Sequence, residues 1–133
     1  MWAFAITEER GSDSRYVLQS ACDFETAKAT MLSYLAAIIH FTKMGMLADT
    51  KHFCNSFMES LLGDGQRLSD MEDGTDWGGS ACACDKHDQA HRMDYWVRYM
   101  SDEQFAETEA MFKEAYPDGD IFTDRPPAEA ETS

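Results

Sequence analysis

Two cysteines and two histidines lie within ten positions of one another in the segment CACDKHDQAH. They are Cys82, Cys84, His87 and His91. Thiolates and neutral imidazoles are the ligands that zinc prefers, and a closed structural zinc site takes four of them. His87 and His91 are four positions apart, so a helical turn would place both rings on one face. The segment is therefore a candidate zinc site that would stabilise a protein-interaction module.

The same segment also fits an interpretation without metal. Zinc fingers take their ligand pairs from two separated elements, whereas here C-x-C and H-x3-H follow each other directly. The alternative is a polar loop that holds two small thiols and two histidines. A small metal- or thiol-dependent enzyme would use these residues as its centre, but no H-E-x-x-H, P-loop or G-x-S-x-G motif accompanies them. We therefore expect a protein that is not an enzyme.

The charge of the chain indicates the kind of partner that it binds. The 133 residues contain 25 acids and 11 bases, for a formal net charge of −14. Residues 64–133 hold eighteen of the acids and six of the bases, so most of the negative charge belongs to this part of the chain. Such a charge repels nucleic acid and anionic membranes, and it attracts a positively charged surface.

The candidate partner-binding residues follow from this asymmetry. Carboxylates spaced along a helix and a neighbouring loop can occupy arginine and lysine sites that are built for phosphates. Aromatic side chains of the segment MDYWVRYM are of the types that dominate protein interfaces. The predicted contact residues are Asp70, Glu72, Asp73, Asp76, Asp102, Glu103, Glu107, Glu109, Glu114, Trp96 and Tyr99.

These residues predict a small acidic binding or inhibitor protein. Its C-terminal half would dock on a basic surface of a protein partner, which could be a nucleic-acid-binding protein or complex. Phage- or plasmid-encoded antagonists of nucleic-acid-binding complexes are one setting for such a protein. If the aromatic segment lies at a sheet edge, a homodimer is a further option.

The chain contains no candidate membrane segment. Its longest apolar stretch, residues 31–41, is about half the length of a membrane span. The first residues, MWAFAITEER, lack the basic region of a signal peptide. We expect a cytoplasmic protein, in which the four cysteines are thiols or ligands.

The elements that position these residues follow from hydrophobic periodicity. Alternating side chains on either side of RGSDSR predict a β-hairpin. Helices are predicted from Phe24 to Gly45, with Asp23 as the cap, and from about residue 50 to Gly63, followed by a long loop over residues 63–84. Residues 93–100 fit a strand better than a helix, and Ser101 begins a capping box for a third helix.

The predicted fold class is α+β. A small antiparallel sheet, made of the N-terminal hairpin and a later strand, packs on about three helices, and an all-α C-terminal half is the alternative. One compact domain is predicted over residues 1–116, followed by a flexible acidic tail over residues 117–133.

Overall fold

The computed structural model describes residues 1–10, 13–43, 55–72, 74–84 and 90–121. They form one antiparallel sheet and three helices, which confirms the α+β prediction. The strands are β1 (Trp2–Arg10), β2 (Asp13–Ala21), β3 (Trp77–Cys84) and β4 (Ala90–Tyr99), and the helices are α1 (Phe24–Lys43), α2 (Asn55–Ser69) and α3 (Asp102–Ala115). The sheet order is β2-β1-β4-β3.

Helices α1 and α2 cover one face of the sheet, which we call the inner face. Apolar side chains recur along α1 three and four positions apart, so one side of this helix is buried. Side chains of Phe4 and Ile6 in β1 and of Met93, Tyr95 and Val97 in β4 point to the same face, because alternate residues of a strand share a face. These residues belong to the main hydrophobic core.

Helix α3 lies on the opposite face of the sheet, the outer face. The ring of Phe112 in α3 lies 5.6 Å from Tyr16 of β2 and 6.5 Å from Trp96 of β4, measured between centroids. Between these strands, Ala3 and Ala5 of β1 are fully buried although they face away from the core. Strand β1 is thus covered on both faces here, which explains why its first five residues, WAFAI, are all apolar.

Two parts of the predicted loop over residues 63–84 are regular structure, so that prediction is wrong. Helix α2 continues through Gly63 to Ser69, and Trp77–Cys84 is strand β3. The helix continues because Leu68 is buried on the same side as Leu61, one heptad earlier. An added Cβ at Gly65 would lie 3.7 Å from Leu35 of α1, an ordinary contact distance, so the helix packing has room for alanine at this position.

The remaining boundaries agree with the sequence patterns except at the C-terminus. Residues 90–99 form a strand, so the all-α alternative is wrong. The predicted tail from 117 includes a packed segment, in which the N–H of Asp118 donates to the carbonyl of Ser14 and Ile121 is buried. The packed region therefore extends at least to Ile121, and residues 122–133 lie outside the described residues.

Helix α3 depends strongly on its cap because none of its residues is fully buried. Ser101 accepts a hydrogen bond from the N–H of Gln104, and the Gln104 side chain accepts one from the N–H of Ser101. We expect Ser101→Ala to lower the free energy of unfolding by about 1 kcal/mol and to speed amide hydrogen exchange in α3. Ser33→Ala, at an exposed site inside α1, is the control, and equal effects of the two changes would contradict this role of the cap.

Candidate functional site

One end of the sheet gathers acidic residues from three different connections. Trp2 pairs with both Ala21 and Tyr99, and Trp77 pairs with Val97, so the end of β2, the start of β3 and the end of β4 meet there. Seven acids flank these strand ends, and we call them the acidic end. They are Asp23, Glu25, Asp70, Glu72, Asp76, Asp102 and Glu103.

The carboxylates of the acidic end are exposed and lack basic partners among the residues that the structure describes. All seven residues are exposed. The ion pairs of the described residues involve other acids, namely Glu8, Asp64, Asp94 and Glu109. Two cations near the acidic end donate to backbone carbonyls instead: the Lys28 ammonium to Met71, at 2.5 Å, and the N-terminal ammonium to Met100, at 2.8 Å. The acidic end therefore presents a net negative charge to solvent, since seven acids face these two cations.

An aromatic cluster lies at the same end of the sheet as these acids. The ring of Trp2 lies 5.1 Å from that of Phe24 and 5.6 Å from that of Tyr99, in edge-to-face geometry. Gly74 approaches the Trp2 ring so closely that an added Cβ would lie 2.5 Å from it, which fixes the α2–β3 connection against the sheet. Tyr99 is 66% exposed. The cluster thus holds a largely exposed ring at this end of the sheet, and the Tyr99 N–H donates to the Asp76 carboxylate at 3.4 Å.

Three acids of this group also stabilise the helices that begin here. The carboxylate of Asp23 accepts a hydrogen bond from the N–H of Thr26 at 2.7 Å and caps α1. Hydrogen bonds from the Thr26 hydroxyl and backbone lower the pKa of Asp23, so this side chain stays ionised. Asp102 and Glu103 lie in the first turn of α3, where the positive end of the helix dipole favours acids. Their negative charge is therefore compatible with a stable fold.

The predicted contact residues do not all meet in one place. Asp70, Glu72, Asp76, Asp102, Glu103 and Tyr99 lie at the acidic end, whereas Asp73 lies outside the described residues. Glu107, Glu109 and Glu114 follow along α3, away from the acidic end, and Glu109 lies 3.8 Å from the Lys113 ammonium. Trp96 lies on the outer face, half-buried, with the Arg98 guanidinium 4.7 Å from its ring centre.

Sequence reasoning missed Asp23 and Glu25 as members of the acidic surface. It assigned Asp23 only to the start of the first helix and took the charge to belong to the C-terminal half. The hairpin and the β1–β4 pairing bring the start of α1 beside the end of β4. The register of long-range strand pairs decides this neighbourhood, and no local pattern encodes it.

The predicted zinc ligands are divided between the two faces of the sheet. Cys82 pairs with Arg92 and is exposed on the outer face, whereas His91 pairs with Ala83 and is buried on the inner face. The structure therefore does not bring Cys82 and His91 together. His87 and the side chain of Cys84 lie outside the described residues, so a site that includes them stays a prediction. Within the described ranges, no group of three or more potential ligands surrounds a common point.

His91 belongs instead to a buried hydrogen-bonded pair. Its Nε2 lies 2.8 Å from Oε2 of Glu8, and the two side chains are 1% and 0% exposed. The imidazole stacks on Phe57 of α2, with ring centroids 5.1 Å apart. Because both polar groups are buried, their pairing avoids the cost of leaving either one in an apolar environment. The pair joins β1 to β4 beneath α2.

A second polar cluster lies between α2 and β3. The Tyr95 hydroxyl donates to the Asp64 carboxylate at 2.6 Å, and the Arg67 guanidinium lies 3.3 Å from the same carboxylate. Burial, followed by the hydrogen bond to Asp64, raises the pKa of Tyr95 well above its usual range. Tyr95 therefore remains a hydrogen-bond donor at any physiological pH. This second cluster therefore connects α2 to the sheet.

Comparison of the chain with protein-family models, with curated proteins and with solved structures gives no match. The described helices include none that is long and apolar enough to cross a membrane. Functional inference for this protein therefore depends on the geometry of its surface, and the acidic end is the surface feature with the clearest chemical character.

Proposed function

We propose that this protein binds a basic surface of a protein partner through its acidic end. The supporting observation is that seven exposed acids flank the strand ends at the same end of the sheet as the exposed side chain of Tyr99. Carboxylates pair with guanidinium and ammonium groups, and the face of a tyrosine ring attracts the same cations. An arginine- or lysine-rich surface satisfies both features at once.

The partner that fits this chemistry best is a protein that normally binds nucleic acid. Phosphate sites in such proteins are built from arginine and lysine, and a carboxylate can take the place of a phosphate oxygen there. The protein would then act as an inhibitor, since it would compete with nucleic acid for the same surface. Its own net charge of −14 disfavours direct binding to nucleic acid.

The test compares two triple variants that change the net charge equally. Glu25→Lys, Glu72→Lys and Glu103→Lys remove charge from the acidic end but keep the caps Asp23 and Ser101. The control replaces three exposed glutamates away from the acidic end, Glu9, Glu59 and Glu114, with lysine. Immobilised wild-type protein and both variants are used to capture partners from the native cell at low salt, and the affinity of each captured protein is then measured.

We expect the acidic-end variant to lose at least about tenfold in affinity, since each exposed pair contributes about 0.2–1 kcal/mol and reversal adds repulsion. The control variant should keep most of its affinity. Wild-type binding should weaken as salt rises, because screening acts on exposed charges, and duplex DNA should compete for the partner. Equal loss in both variants, or binding that is independent of salt, would show that the acidic end is not the contact surface.

A further inference from the structure

The two edges of the sheet differ in how far other segments of the chain cover them. On β2, the N–H of Tyr16 donates to the carbonyl of Gly119 at 3.0 Å, and the carbonyl of Ser14 accepts from Asp118 at 3.1 Å. The segment that includes Asp120 therefore covers part of this edge. Strand β3 forms the other edge of the sheet.

The contact of Arg67 with Gly78 shows which backbone groups of β3 point outward. The Arg67 guanidinium donates to the carbonyl of Gly78 at 2.6 Å, so the backbone of Gly78 points away from β4. Backbone groups of an antiparallel strand alternate in direction along the chain. The N–H and C=O groups of Ser80, Cys82 and Cys84 therefore also point outward. Among the described residues, no backbone or side-chain hydrogen bond reaches them on that side.

In the part of the chain that the structure describes, this open run lacks the features that usually prevent edge pairing. Edge strands are commonly protected by lysine, proline, a bulge or a covering segment. Residues 77–84, WGGSACAC, contain no charged residue and no proline, and they pair with β4 in continuous register. Nearby charges are already paired, Arg92 with Asp94 on the outer face and Arg67 with Asp64 on the inner side.

We propose that the β3 edge is a dimerisation surface that pairs with the β3 edge of a second copy of this chain. A second copy fits better than a basic partner because the strand carries no carboxylate that would select a cation. The open run is also self-complementary: it extends from Ser80 to Cys84, and its centre is Cys82. Antiparallel pairing about a twofold axis at Cys82 places each Ser80 opposite Cys84 of the second copy and continues the sheet from four strands to eight.

This dimer and the binding proposed for the acidic end depend on salt in opposite directions. Two chains of charge −14 repel each other, and salt screens that repulsion, so the dimer should strengthen as salt rises. Binding of a basic partner should weaken over the same range. The two proposals can therefore fail independently.

The experiment is sedimentation equilibrium of the full chain under reducing conditions. Concentrations from about 1 µM to about 1 mM cover the dissociation constants of weak specific dimers. We expect a reversible monomer–dimer equilibrium that shifts toward dimer with added salt. A chain that stays monomeric over this whole range at high salt would overturn the proposal.

Matched proline variants test which edge forms the contact. Ser80→Pro removes one outward N–H of β3, and Ser20→Pro removes one outward N–H of β2, and neither change touches a ladder hydrogen bond. Ser80→Pro should weaken dimerisation at least about tenfold, and Ser20→Pro should leave it unchanged. Cys82→Glu is a second variant, for use if Ser80→Pro unfolds. In the dimer it places two carboxylates opposite each other, whereas in the monomer the new carboxylate pairs across the strands with Arg92. A dimer that survives both β3 variants would contradict the proposal.

Crosslinking at Cys82 tests the register. Hydrogen-bonded antiparallel pairs have Cα atoms roughly 5.5 Å apart, which lies within the range for a disulfide. Copper-catalysed air oxidation removes two electrons and two protons from the two thiols and should join Cys82 to Cys82 of the second copy, as mapped by peptide mass spectrometry. A dimer whose crosslinks never include Cys82 would refute the pairing at this position.

Discussion

Replacing Glu8 with alanine is expected to lower the free energy of unfolding by about 3–5 kcal/mol, because it leaves His91 without its carboxylate partner in a buried site. Nε2 of His91 lies 2.8 Å from Oε2 of Glu8, and both side chains are at most 1% exposed. Glu8→Gln should cost less, since an amide keeps the shape and one hydrogen-bonding oxygen. Urea denaturation monitored by circular dichroism gives both values.

The neighbouring residue supplies the control for this prediction. Glu9 is exposed and points to the opposite face of β1, so Glu9→Ala should change stability by no more than about 0.5 kcal/mol. If Glu8→Ala cost no more than Glu9→Ala, the Glu8–His91 pair would have no structural role.

Gly79→Ala is expected to destabilise the protein by about 2–4 kcal/mol, whereas Gly78→Ala should be nearly neutral. A Cβ at Gly79 would overlap the Asp64 carboxylate and lie 2.7 Å from the Tyr95 ring, so Tyr95 and Asp64 would have to separate. Overpacking costs about 1–3 kcal/mol, and a hydrogen bond to a charged group is worth about 1.5–3 kcal/mol. A Cβ at Gly78 meets its nearest atom, the Tyr95 carbonyl oxygen, at an ordinary 3.5 Å.

An ultraviolet titration of the tyrosines gives an independent measurement for Gly79→Ala. Burial and the hydrogen bond to Asp64 raise the pKa of Tyr95, so this phenol should ionise last of the five tyrosines. The raised pKa stabilises the fold below pH 10, and this contribution is lost as the pH rises above the unfolded value. In Gly79→Ala the fifth phenol should ionise at lower pH. An unchanged titration together with unchanged stability would show that Gly79 has room for a side chain.

Local patterns in the sequence were sufficient for most of the elements. The alternating residues of the hairpin, the cap at Asp23 and the capping box at Ser101 each produced the element that they predict. The glycines at Gly63 and within Trp77–Cys84 led to the wrong prediction of a loop over these residues. Glycine lowers helix and strand propensity by only about 1 kcal/mol, and burial of Leu68 and Trp77 against the rest of the core outweighs that amount.

The candidate site was only partly predictable for a different physical reason. Amino-acid composition identified the carboxylates and the aromatic residues of the C-terminal half, because charge and residue type are properties of single positions. The predicted strand began at residue 93 and did not include His91, whereas the observed strand begins at Ala90. The buried partner of His91 is Glu8, which lies 83 positions away in the chain, so no local pattern could indicate this pair.

The sequence alone determined an α+β chain of high negative charge, with its helix caps and most strands specified by neighbouring residues. Tertiary structure decided which carboxylates form one surface, added Asp23 and Glu25 to it, and placed Cys82 and His91 on opposite faces of the sheet. It also placed β3 at one edge of the sheet. These outcomes depend on the register of strands that are distant in the chain, and register is set by the burial of a whole face rather than by any short motif.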